Sequence, residues 1–336
     1  MKIRRRTWLL GLLLSLGIIT GCKRLPPPAA AVQSWKVVLL SARGERVFEN
    51  GQRVLLARLM AQDARFQLQV QDAAFSVETQ VSQFRKALKE KPFAILIDAL
   101  EAAPLKPEVD AALSSGVLVI GLGEASADLA CSTLLMADQK KLGELAGGIA
   151  VRALLQKSQE SGGTEAVGRV VEIRGDDESP QCQRRHEGFE AALRSAPGVI
   201  LVHDAPGAWS LTSGRDRVVD ALRLQQSFDI VYAHNDLMAF GAALALSEQK
   251  KRSDVMVIGT DGFRGREGGM TLVGDGEIDA TLYQPLLVDF AWVLLRKKAE
   301  NPAFTPKPHY DMPLRTILPK DLDDIRLNGL PPYPEL

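Results

Sequence analysis

Short runs that are apolar at every position alternate with longer segments whose apolar residues recur at helical spacing, and the alternation occurs twice along the chain. A run apolar at every position, rather than at every second one, belongs to a strand covered on both faces. Strands of that kind separated by helices form parallel sheets wrapped in helices. The first series predicts strands at 35–40, 66–70, 93–97 and 117–120, with helices at 47–62, 77–91 and 106–115. After Asp138 the pattern restarts with a helix at 139–156. Strands at 169–173, 199–202, 230–233 and 255–259 come next, separated by helices at 181–195, 214–225 and 237–249. The expected fold class is α/β, with two doubly wound parallel-sheet domains. A chain of 336 residues suits two domains better than one.

The segment ahead of the first strand reads as an address. Lys2, Arg4, Arg5 and Arg6 precede an apolar run from Trp8 to Ile19, which is too short for a stable membrane-spanning helix. The run ends in Ile19-Thr20-Gly21-Cys22, small residues before a cysteine, which resembles a bacterial lipobox. Residues 1–21 are then a signal peptide, Cys22 is the lipidation site, and 22–34, with its Pro26-Pro27-Pro28 run, is a semi-rigid tether. The expected location is the cell envelope, lipid-anchored outside the cytoplasmic membrane. The whole chain balances 41 basic against 41 acidic residues, but without 1–21 it has 37 against 41. A mildly acidic body argues against nucleic acid as partner.

Ligands of open α/β sheets bind beyond the carboxyl ends of the strands, so the loop after each strand is where binding chemistry is expected. The loops offer Ser41 to Phe48, Gly121-Leu122-Gly123-Glu124, Arg184 to Phe189, Ala205 to Trp209, His234-Asn235-Asp236, Gly259 to Gly262 and Tyr283-Gln284-Pro285. Carboxylates and amides make paired hydrogen bonds to vicinal hydroxyls, and an aromatic face packs on the C–H face of a sugar ring. No nucleophile elbow, phosphate loop or metal-spaced His/Cys group is present, so no enzyme activity, cofactor or metal is expected.

Four of these pieces, in order, carry a resemblance: R-x-x-G-F at Arg185–Phe189, A-H-N-D-x-M-A-x-G-A at Ala233–Ala242, I-G-T-D-G at Ile258–Gly262, and A-T-L-Y-Q-P at Ala280–Pro285. The chain resembles the type I periplasmic binding proteins of the ribose-binding family over roughly residues 36–320, here in lipoprotein form. The resemblance implies two doubly wound domains joined by a three-segment hinge. The first would be 35–137 plus 285–312, and the second 138–284 plus 313–336. It also implies a ligand set of Arg185, Trp209, Asn235, Asp261 and Gln284 from the second domain. Glu45, Phe48 and Glu124 would come from the first. The first half departs from the family. Gly123-Glu124 stands where many sugar binders have Asp-Arg, and Glu45-Arg46-Val47-Phe48 replaces Asn-Pro-Phe-Phe.

Structural readings stand beside several of these residues. Arg185 also suits a surface pair with Glu187 or Asp177, and Trp209 suits interface packing. Asp261 suits a turn, Gln284 a satisfied hinge backbone, and Asp236 the cap of the following helix with Asn235 in the pocket. His186 and His203 read as surface residues. A Cys131–Cys182 disulfide suits an oxidising compartment, but the bridge would restrain the hinge. The expected function is capture of a monosaccharide or related polyol by a monomeric protein through hinge closure, and delivery to an ABC-type sugar permease. The alternative is the same module acting as sensor for a membrane histidine kinase or chemoreceptor. A repressor core lacks its helix-turn-helix here, and a hydrolase or kinase lacks its catalytic groups.

Overall fold

The computed structural model describes residues 34–336 except Glu178 and Gln226. The signal segment, the tether and Cys22 lie outside the described residues. Among those described, no helix is long and apolar enough to cross a membrane.

The first half builds β1 (Trp35–Ser41), α1 (Val47–Met60), β2 (Phe66–Asp72), α2 (Val77–Lys89), β3 (Ala94–Ile97), α3 (Lys106–Ser114), β4 (Leu118–Leu122) and β5 (Thr133–Met136). Then come α4 (Gln139–Glu160), β6 (Gly168–Arg174), α5 (Pro180–Leu193), β7 (Val199–Pro206), α6 (Leu211–Gln225), β8 (Ile230–Ala233) and α7 (Asp236–Glu248). The chain closes with β9 (Met256–Ile258), α8 (Gly269–Gly274), β10 (Thr281–Tyr283), α9 (Leu287–Glu300), β11 (His309–Asp311), β12 (Arg315–Ile317) and α10 (Leu322–Asn328). The apolar strand runs and helical periods read from the sequence thus form the expected elements, with ends displaced by a few residues. Three short strands were not read: β5 because its apolar run, Leu134-Leu135-Met136, is only three residues long, and β11 and β12 because they carry too few apolar residues.

The first sheet has the order β11-β5-β4-β3-β1-β2, and the second β7-β6-β8-β9, each parallel throughout. Bridges from Ile258 to Ala280 and from Asp261 to Tyr283 lay β10 beside the second sheet, where β12 pairs with it antiparallel. The chain passes between the sheets three times: from β5 into α4, from β10 into α9, and from β11 into β12.

Alternation along each strand sorts the cores. On β1, Val37 and Leu39 pack with Leu56 of α1 and Phe290 of α9, while Val38 and Leu40 pack with Phe84 of α2 and Val109 of α3. On β6, Val171 and Ile173 pack under α6 and α7, and Val170 under α4 and α5. Caps set the helix starts. The Ser76, Asp138 and Ser179 side chains accept from the amides of Thr79, Lys141 and Cys182. Helices α4 and α5 touch through backbone. A Cβ on Gly188 would lie 1.9 Å from the Lys140 carbonyl oxygen, and one on Gly143 2.0 Å from that of Arg185. Only glycine permits that approach, which brings Arg185 of α5 against Gln139 at the start of α4.

In both sheets the strand order reverses direction beside the first strand of the series, between β1 and β3 and between β6 and β8. Crevices open there at the carboxyl ends.

Candidate functional site

The two crevices face one cavity of about 80 Å³. A space of ~10–15 Å³ holds one water, so the cleft encloses room for a small molecule. The first sheet contributes Arg46, Phe48, Glu49 and Gln52 at the start of α1, Asp98 after β3, and Glu124 after β4. The second contributes Arg185, Trp209, Asn235 and Asp261, and the crossing segments contribute Gln139 and Gln284.

Four of these side chains form a ring. Arg185, 3% exposed, donates from Nε to Gln139 Oε1 at 2.7 Å. Gln139 donates to Gln284 Oε1 at 3.1 Å, and Gln284 donates to Asp261 Oδ1 at 2.8 Å. Asp261 Oδ1 returns to an Arg185 terminal nitrogen at 4.0 Å. Arg185 also donates to the carbonyl of His234. The ring joins two of the three crossing segments to both charged groups, so each member has a partner. Burial raises Asp261 to about 6, with Arg185 and the Gln284 bond opposing the rise. Asp261 sits at φ 113°, strained for a residue with a Cβ.

Arg185 is therefore no surface residue. Glu187 pairs with Arg184, and Asp177 with Arg174. Asn235 both lines the cavity and caps α7: its Oδ1 accepts from the Met238 amide at 2.8 Å and its Nδ2 donates to the Trp209 carbonyl at 3.0 Å. Asp236 is not the cap. Its buried carboxylate accepts from the amides of Gly262 and Gly269 and from the Thr281 hydroxyl, tying the loop after β9 to the starts of α8 and β10. Trp209 lies beyond β7 at φ 62°. Its ring occupies the space a Gly175 side chain would take, and lies 5.5 Å from the Arg185 guanidinium and 5.9 Å from that of Arg46.

The cavity brings together Phe48, Glu124, Arg185, Trp209, Asn235, Asp261 and Gln284. Glu45 is exposed and lies outside the lining. It precedes α1, and the first helical turn carries Glu49 inward instead. Sequence reasoning passed over Arg46, Glu49, Gln52, Asp98 and Gln139. Glu49 and Gln52 are polar at i, i+3 on a helix start, a pattern shared with any solvated face. Asp98 is the residue immediately after the β3 run and was open to the same strand-end reading as the others.

Beneath the cavity lies a polar group that the histidine reading missed. Glu172 stands in β6 with no solvent exposure, between His234 Nε2 at 2.8 Å and His186 Nδ1 at 2.7 Å. His186 is thus a partner of a buried carboxylate rather than a free surface residue. The Gly175 amide donates to His234 Nδ1 at 3.3 Å, which fixes the ring as the Nε2–H form that donates to Glu172. Burial pushes His234 down, and the Glu172 bond pulls His186 up. Cys131 and Cys182 are both free, and burial pushes each thiol up to about 12.

Besides the approach of Arg46 to Trp209, further contacts among the described residues span the mouth between the sheets. Arg46 meets Asp176 at 2.8 Å, Arg184 meets Glu124 at 3.4 Å, and the Phe48 and Phe263 rings lie 5.9 Å apart.

Two doubly wound lobes, three crossing segments and one polar cavity between them define a bilobal α/β protein with an interlobe binding cleft. The family described as periplasmic binding protein domain matches residues 38–287, and the chain belongs to it, in its type I, ribose-binding-like branch. It is 24% identical over 205 residues to the ribose import binding protein of Bacillus subtilis, covering 61% of this chain and 62% of that one. The chain spans less than two thirds of the length of the curated relatives it matches. Among solved structures, the fructose-binding periplasmic domain of a hybrid two-component system superposes with a TM-score of 0.74 at 23% identity. The match covers 88% of this chain and 94% of that one. A solute-binding protein of an ABC transporter from Bacillus halodurans, with bound myo-inositol, gives 0.75 at 18% identity, covering 88% and 98%.

Proposed function

We propose that this protein is an extracytoplasmic solute-binding lipoprotein that captures a sugar or sugar-like ligand by hinge closure and delivers it to an ABC-type sugar permease. The observation that carries the reading is the cavity itself. Forked polar groups from both lobes and from two crossing segments converge on it, with the rings of Phe48 and Trp209 at its walls. Arg185, Asn235, Asp261 and Gln284 would take ring hydroxyls, and Glu124 would hold the far side. A ligand touching both lobes favours the closed state by its differential affinity, and closure makes the mouth contacts. The protein performs no chemistry in this account, acts as a monomer, needs no cofactor and is held to the membrane through Cys22.

A second reading is favoured by the likeness to a two-component fructose-binding domain: the closed form reports to a membrane kinase rather than to a permease. The test of ligand class is a thermal-shift screen of residues 34–336 against pentoses, hexoses and polyols. A ligand at one hundred times its dissociation constant stabilises by about 2.7 kcal/mol. Stabilisation by none of them would end the sugar reading.

A further inference from the structure

The first-sheet half of the cavity holds two carboxylates with no cation seated on them. Glu49, in the first turn of α1, is 8% exposed and lines the cavity. Among the described residues its carboxylate has no hydrogen-bond partner beyond its own backbone amide, and it forms no ion pair. Asp98 lines the same cavity, with one long bond, 3.4 Å, from the Ala42 amide. Two guanidiniums stand in the neighbourhood. Arg46 is committed to Asp176 across the mouth. Arg43 acts on both carboxylates through space and forms no ion pair among the described residues. Glu124, on the same lining, has a buried Oε2 without a partner.

A buried carboxylate is ordinarily paired. Burial and the neighbouring Asp98 raise Glu49 to about 7, and burial raises Asp98 to about 6. Arg43 and Arg46 face the pair and oppose the rise without cancelling it. A neutral hydroxyl would donate one bond and bring no charge to the pair. A hard divalent cation asks for six or more oxygens, more than these two carboxylates supply. An ammonium offers three donors and one charge, which suits two neighbouring carboxylates on one cavity wall.

We propose that the ligand is a polyhydroxylated molecule bearing a protonated amine, of the amino-sugar or amino-cyclitol class, whose ammonium sits between Glu49 and Asp98 while its hydroxyls meet Asp261, Gln284 and Arg185. This rests on the sugar-binding reading and narrows it. The experiment is calorimetry of the protein with matched pairs: D-glucosamine and D-glucose, D-galactosamine and D-galactose, an amino-inositol and myo-inositol, with N-acetylglucosamine as an uncharged control. The amine member of the binding pair should bind at least about 10-fold more tightly, the scale of a charge-assisted bond. Glu49→Gln, which removes an unpaired buried charge and so folds, should abolish that preference, and Asp98→Asn should reduce it. A neutral member binding as tightly as its amine, or a preference that survives Glu49→Gln, overturns the proposal and leaves the sugar reading standing. Binding of no polyhydroxylated compound, amine or neutral, overturns both.

Discussion

Replacing Arg185 with methionine keeps a long side chain and removes the charge on which the cleft's hydrogen-bond ring turns. Arg185 is 3% exposed, and its guanidinium serves Gln139 Oε1, the His234 carbonyl and the Asp261 carboxylate. Methionine leaves all three without it. An orphaned buried acceptor costs about 1–3 kcal/mol, and a buried ion pair broken on one side about 3–5 kcal/mol. The terms overlap, because Asp261 escapes part of the loss by taking up a proton. Arg185→Met should therefore destabilise by about 3–5 kcal/mol at pH 7.5, read from urea unfolding. The proton gives a signature. With Arg185 present, burial already raises Asp261 to about 6; without it the value rises further. A raised carboxyl is neutral in the folded state below that value, so the loss should shrink as pH falls from 7.5 to 5. Adding Asp261→Asn should recover part of the stability at pH 7.5 and little at pH 5. A loss under about 0.5 kcal/mol, or one independent of pH, would refute the ring as the structural centre of the cleft.

Glu49→Gln should stabilise the unliganded protein. Its folded value of about 7 lies above the ordinary 4.5, so the penalty is absent below pH 4.5 and complete above pH 7. The gain is roughly 1–3 kcal/mol at pH 8 and small at pH 5 in urea unfolding; equal gains at both would count against it. Trp209→Leu should remove most of the ligand-induced fluorescence change, since Trp35 and Trp292 sit in the first lobe's core against Phe66. A persisting response would assign the signal elsewhere. Cys22→Ser should release the protein from membranes in fractionation, and membrane association that survives high salt would contradict lipid anchoring.

The second lobe was more legible than the first because its site residues sit at strand ends inside contiguous motifs. Asn235 comes directly after β8 and its neighbour His234, and Asp261 and Gln284 come after β9 and β10 at fixed short distances. On the first lobe the cavity is lined from a helix, where Glu49 and Gln52 look like solvated positions until the sheet is in place. Glu172 was hidden for another reason. It interrupts an apolar strand, and its partners come from α5 and from the end of β8, 14 and 62 residues away. Pairing of that kind is a property of topology, and strand order is not written in local periodicity. The glycine contact between α4 and α5 is similar, since Gly143 and Gly188 gain meaning only when the two backbones meet.

In the proposed mechanism one small molecule is held by both lobes at once. A crystal structure with the compound selected by the thermal-shift screen tests it most directly. The ligand should lie in the interlobe cavity, within hydrogen-bond distance of Asp261 or Arg185 on one side and of Glu49, Asp98 or Glu124 on the other. Density outside the cavity, or contacts confined to one lobe, would contradict it.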